Sequence, residues 1–208
     1  MSSPVPSCDE LLASLKRGEV PARGFDALKF TLPGRGAHAP RIEARMVQAN
    51  NPADDPPVPA AVMRTIEKHL LHFGGEVHLE SVTEDELGGL PTTTVYPAGF
   101  PAVMLFQYPL RPNVGFDWVY ETESPSGLTV RDIARCIPAT YRVMYAAEEA
   151  AVGTEAHAAR AGSSSLNRGQ TDGPFGIWGH DLDDLVLEGF TWAPNSSGGG
   201  AILPLIGS

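Results

Sequence analysis

Residues 124–153 read SPSGLTVRDIARCIPATYRVMYAAEEAAVG, and their reading decides the fold. Thr129 is placed to cap a helix, and Asp132 falls at the third helical position, where an acid suits the positive end of the helix dipole. Val130, Ile133, Ile137, Tyr141, Met144 and Tyr145 recur at spacings of three and four, the apolar stripe of an amphipathic helix. Pro138 interrupts the run, but the stripe stays in phase across it. The pattern therefore predicts one continuous, kinked helix rather than two.

The segments flanking this helix read as strands. FPAVMLFQYPL (100–110) and VGFDWVYETE (114–123) form the clearest strand pair, and the link RPNVG has hairpin-turn chemistry. Alternation places Phe116, Trp118 and Tyr120 on one face, with Asp117 and Glu121 on the other. LKFTL (28–32), RIEARMVQ (41–48), EVHLESV (76–82), DLVLEGFTW (184–192) and AILPLI (201–206) read as further strands. In the second of these, Ile42, Ala44 and Met46 alternate with charged residues, as in a half-buried strand.

Two more helices are expected before the strand pair. Ser7 and Glu10 stand in capping-box register, and Leu11, Leu12 and Leu15 line one side, which gives a helical N-terminal arm over 1–25. The Pro-rich link NNPADDPPVP (50–59) opens a segment in which Val62, Ile66, Leu70 and Phe73 share a helical face. The spacing predicts an amphipathic helix over 58–73, stopped by Gly74-Gly75. Thr83 and Glu86 mark a short helical turn. Residues 153–173 are poor in bulky apolar side chains and are expected to form a flexible loop. Strands and helices mix without regular βαβ alternation, which predicts a single α+β domain over 1–208. Its mixed or antiparallel sheet packs against two main amphipathic helices.

Composition narrows the partners. Hydrophobic residues make up 42% of the 208-residue chain, enough to bury a core. The net charge is −10, and no block of Lys or Arg reaches the density of a phosphate-binding face. Nucleic acid and anionic membrane surfaces are therefore disfavoured as partners. No apolar run approaches the ~20 residues of a membrane span, and the N-terminal segment lacks a secretory pattern. With only Cys8 and Cys136, far apart in sequence, the chain has no disulfide framework or zinc spacing, and an intracellular protein is expected.

Several stretches carry residues capable of chemistry. Gly34-Arg35-Gly36-Ala37-His38-Ala39 fits a loose dinucleotide pattern, but Pro40 and a strand follow where a helix is needed, so a turn is expected. GPFGIWGHDLDDLVLEG (173–189) gathers His180, Asp181, Asp183 and Asp184, which could bind a divalent cation or relay a proton. The alternative is a turn feeding the strand at Leu185. In an extended chain, Asp181 and Asp183 would share one face, with His180, Leu182 and Asp184 on the other. His69, His72 and His78 could add ligands, but the helical wheel lays His69 along the apolar stripe and His72 on the surface. Cys136 reads as a buried small hydrophobe, while Cys8, at a helix start, could have a lowered pKa. Trp118, Trp178 and Trp192 are candidate binding aromatics, with core packing as the alternative. Phe116, Trp118, Tyr141 and Trp192 are expected to share one sheet–helix core.

PAVMLFQYPLRPNVGFDWVYETESPSGLTVRDIARCIPATYRVMYAAEE and GIWGHDLDDLVLEGF together resemble a family of uncharacterised fungal proteins. Members combine a paired strand, a turn, a helix start like Thr129-Val130-Arg131-Asp132, and a late Gly-rich segment ending in a strand. The resemblance covers about the C-terminal half and implies a small α+β domain. It brings no activity and no catalytic residue.

The first functional reading is a non-catalytic interaction or self-assembly module, with a protein partner and no cofactor. One alternative is a metal-dependent, hydrolase-like enzyme using His180, Asp181 and Asp183, with Asp184, His69, His72 or His78 joining in space. The other is a carrier of a small apolar ligand on the aromatic sheet face.

Overall fold

A computed structural model describes residues 4–19, 28–33, 42–48, 69–99, 102–110, 118–153, 169–194 and 200–208. The chain is α+β. Among the described residues, helices α1 (Cys8–Lys16), α2 (Glu84–Gly88) and α3 (Val130–Val152) accompany nine strands. These are β1 (Lys29–Leu32), β2 (Ile42–Gln48), β3 (His69–His78), β4 (Thr94–Tyr96), β5 (Ala102–Phe106), β6 (Trp118–Glu123), β7 (Leu128–Thr129), β8 (Val186–Pro194) and β9 (Gly200–Gly207).

Seven strands form one sheet in the order β1-β2-β6-β5-β9-β8-β3, and β4 pairs with β7 in a small second sheet. Neighbours run antiparallel except β5 and β9, which are parallel, with Met104 beside Ile202. Pleating sends alternate side chains to opposite faces. Ala102, Met104, Phe106, Phe190 and Ile202 join the main core with α3. Val103, Leu105, Ala193, Ala201 and Leu203 form a separate apolar cluster.

Helix α3 runs unbroken through Pro138. Its stripe residues Val130, Ile133, Ile137, Tyr141, Met144 and Tyr145 are all buried. Ala134, Ala139, Val143 and Ala147 are buried as well, so the helix is covered on more than one side, as its apolar content requires. Helix α1 packs on it through Cys8, Leu11 and Leu15. All three helices begin with a reciprocal capping box: Ser7 with Glu10, Thr83 with Glu86, and Thr129 with Asp132. Arg131 ties the start of α3 to α2 by donating to the carbonyls of Gly88 (2.7 Å) and Leu90 (3.1 Å), and Arg135 pairs with Glu84.

The two edges of the large sheet differ. Along β1, the Thr31 amide donates to the Pro6 carbonyl at 2.8 Å, so residues just before α1 close that edge. On β3, no described strand pairs with the outer edge, and Leu70 is 57% exposed.

The expected helix over 58–73 is corrected where it can be compared. Residues 58–68 lie outside the described residues, but 69–73 belong to strand β3, and Gly74-Gly75 continue that strand instead of stopping a helix. Between His72 and Val77 the register to β8 shifts, so the two glycines sit in an irregularity that a sheet edge tolerates. His69 is correspondingly an exposed strand residue, stacked on Trp192 with ring centroids 5.0 Å apart, and does not line a helical stripe.

Tyr141 is buried and Trp192 is half-buried in the same core, as expected. Phe116 and the side chain of Trp118 lie outside the described residues, as do the Gly34–Ala39 turn and the RPNVG link. No helix among the described residues is long and apolar enough to cross a membrane.

Candidate functional site

The GPFGIWGHDLDDLVLEG stretch folds as a packed entry to β8. Phe175 and Ile177 are buried, Leu182–Asp184 make a short 3-10 turn, and Leu185 and Leu187 enter the core. Trp178 is 38% exposed and meets Tyr108 edge-on at 5.9 Å, with its amide donating to the Pro109 carbonyl. A 3-10 turn stands in place of the extended chain, yet the polar residues group as the alternation suggested. His180 Nδ1 lies 4.0 Å from Asp184 Oδ2. Asp181 and Asp183 instead line a neighbouring cleft.

That cleft has a volume of about 810 Å³, within the range of ligand-binding clefts. Helix α1 contributes Asp9, Leu12, Ala13 and Lys16 to its walls. Helix α3 contributes Arg142, Tyr145, Ala146 and Glu149. The segment after β3 adds Glu80 and Ser81, and the 3-10 turn adds Asp181, Leu182 and Asp183. Tyr145 is already engaged, donating to the His180 carbonyl at 2.9 Å, which fixes the turn against α3. Five carboxylates thus face two cations around an apolar floor of Leu12, Ala13, Ala146 and Leu182.

Neither cation is neutralised by its surroundings. Arg142 and Lys16 make no hydrogen bond or ion pair among the described residues, and Arg142 Nε is buried without an acceptor. An orphaned buried donor on a permanently charged group is costly, and such a group stays attractive to an external anion.

The histidines raised by the sequence do not converge. His78 Nδ1 pairs with Glu86 at 2.7 Å at the start of α2, His69 stacks on Trp192, and exposed His72 lies by a smaller hollow beside Glu188. Among the described residues no group of three His, Cys, Asp or Glu side chains could hold a metal ion. Burial works to raise the Glu86 carboxyl, but hydrogen bonds from His78 and Thr83 outweigh it and bring the group down to about 2.

Both cysteines are buried. Burial pushes the Cys8 thiol up to about 11, with a small opposing pull from Arg142. The lowered value expected from its place at a helix start is thereby overturned, because the side chain points into the α1–α3 packing. Burial raises the Cys136 thiol as well.

One polar group that sequence reasoning missed is Glu148. Its side chain is fully buried on α3 and accepts from the Gly173 amide (3.0 Å), the Phe175 amide (2.7 Å) and the Thr171 hydroxyl. The Thr171 amide donates to the Ile177 carbonyl at 3.0 Å. This clamp holds the end of the expected 153–173 loop, whose residues 154–168 lie outside the described part. A Cβ at position 173 would overlap the Glu148 carboxylate, so only glycine fits there. The signal was present in the sequence: Glu148 continues the stripe at four residues from Met144 and three from Tyr145, an acid in phase with a buried face.

Comparison with models of protein families, with curated proteins and with solved structures gives no match to this chain. Its function is therefore inferred from the geometry described above.

Proposed function

We propose that the protein is a non-catalytic interaction module that receives a basic segment of a partner protein in the cleft between α1, α3 and the 3-10 turn. The observation carrying this reading is the charge of the cleft wall, with Asp9, Glu80, Glu149, Asp181 and Asp183 set against Lys16 and Arg142. The chain as a whole carries −10, so the long-range field also favours a cationic partner. Apolar floor residues between the charges would receive the methylene stems of Lys or Arg side chains. The polar wall fits an apolar-ligand carrier poorly, and the dispersed histidines give little support to a metal-dependent hydrolase.

The test is fluorescence anisotropy with labelled Lys/Arg-rich peptides and with acidic peptides of equal length. Basic peptides are expected to bind, with affinity falling as salt rises. The paired substitution Asp181→Asn and Asp183→Asn is expected to weaken that binding roughly tenfold. Equal binding of acidic and basic peptides, or indifference to the paired substitution, would overturn the reading.

A further inference from the structure

An all-cationic segment leaves one part of the cleft unexplained. Arg142 and Lys16 face a space lined by five acids, yet no described residue pairs with either. Arg142 sits on the interior helix of the fold with its Nε buried and without an acceptor.

The cleft is therefore bipolar. A purely anionic ligand would meet five carboxylates, and a purely cationic one would leave both cations as they are. A ligand carrying one carboxylate and an excess of positive charge matches both signs of the wall. We propose that the cleft recognises the C-terminal residue of a basic peptide, its free carboxylate held by Arg142 with Lys16 and its cationic side chain by Asp181 and Asp183. This rests on the interaction reading given above and names the part of the partner that is read. A guanidinium suits the task because its planar fork can donate to both oxygens of a carboxylate, which a lysine cannot reproduce.

The experiment measures binding of one basic peptide ending in Lys, in three forms: free C-terminus, amidated C-terminus, and free lysine as the amino acid alone. The full chain is compared with Arg142→Met and Arg142→Lys, each checked for folding by circular dichroism and thermal melting. The free-carboxylate peptide is expected to bind roughly tenfold or more tightly than its amide. Arg142→Met should erase that preference, so that acid and amide bind alike, and Arg142→Lys should restore it only in part. Equal affinity of acid and amide for the unaltered protein would overturn the carboxylate assignment while leaving the basic-segment reading intact. Failure of every basic peptide to bind would overturn both. Binding of free lysine as tight as that of the peptide would assign the cleft to an amino acid and overturn the peptide terminus as its ligand.

Discussion

Glu148 and Arg142 stand on the same helix, less than two turns apart, and receive opposite treatment. Glu148 is buried and accepts from two amides and a hydroxyl. Arg142 lines an open cleft and pairs with nothing among the described residues. The first charge is spent on architecture, since its donors come from the chain segment that it fastens. The second is left with unused hydrogen-bonding capacity where a ligand can reach the helix. What separates the two roles is whether the fold itself supplies the partners.

The comparison breaks most visibly at Glu148. Replacement by alanine would leave the Gly173 and Phe175 amides and the Thr171 hydroxyl without their acceptor. A loss of roughly 3 kcal/mol or more is expected, which for a chain of this size lowers Tm by roughly 6–12 °C. Glu148→Gln, which keeps the shape and one acceptor oxygen, should fall between the two. Calorimetry decides: an unchanged Tm for Glu148→Ala would mean that the clamp contributes nothing.

A smaller effect is expected at the other end of the comparison. Arg142→Met removes a charge that has no internal partner and keeps most of the apolar stem. Stability should stay within about 0.5 kcal/mol, or rise slightly as the unpaired charge disappears. Urea titration checks this, and a large destabilisation would show that Arg142 is structural after all.

A pH-dependent effect is expected at a third charged residue, Glu86, which is held with the help of His78. Its carboxyl lies at about 2, below its ordinary 4.5. A lowered folded-state value means that its contribution is complete above about 4.5 and is lost as pH falls towards about 2. Glu86→Gln should therefore be less stable than the parent at neutral pH, with the gap closing in that acid window. Urea midpoints at pH 7, 4 and 2.5 would show it; a gap independent of pH would mean that the charge is not what matters.

Much of the fold was legible because period and capping agreed. The α3 stripe, the three capping boxes and the alternation in β2 all point one way. The segment ending at Phe73 misled because two periods fit it. Leu70 and Phe73 suit a helical face, while His69, Leu71 and Phe73 equally suit one face of a strand, and a short apolar run cannot choose between them. The candidate site was legible only in fragments. Asp181 and Asp183 stood out by proximity in sequence. Arg142 gained meaning only when α1, more than a hundred residues earlier, was laid beside it. His180, the residue that drew most attention in the sequence, contributes its backbone carbonyl to Tyr145 and leaves the cleft wall to its neighbours.

Strand β9 has a consequence for how the protein is made. It lies inside the large sheet, between β5 and β8, although it follows every other described strand in sequence. Until residue 207 has left the ribosome, β1-β2-β6-β5 and β8-β3 are two sheet fragments with unfilled inner edges. Closure joins segments about a hundred residues apart, a non-local step of the kind that slows folding. A nascent chain of this protein therefore holds these inner strand edges open until β9 has emerged, and that interval is where a chaperone would have the most to protect.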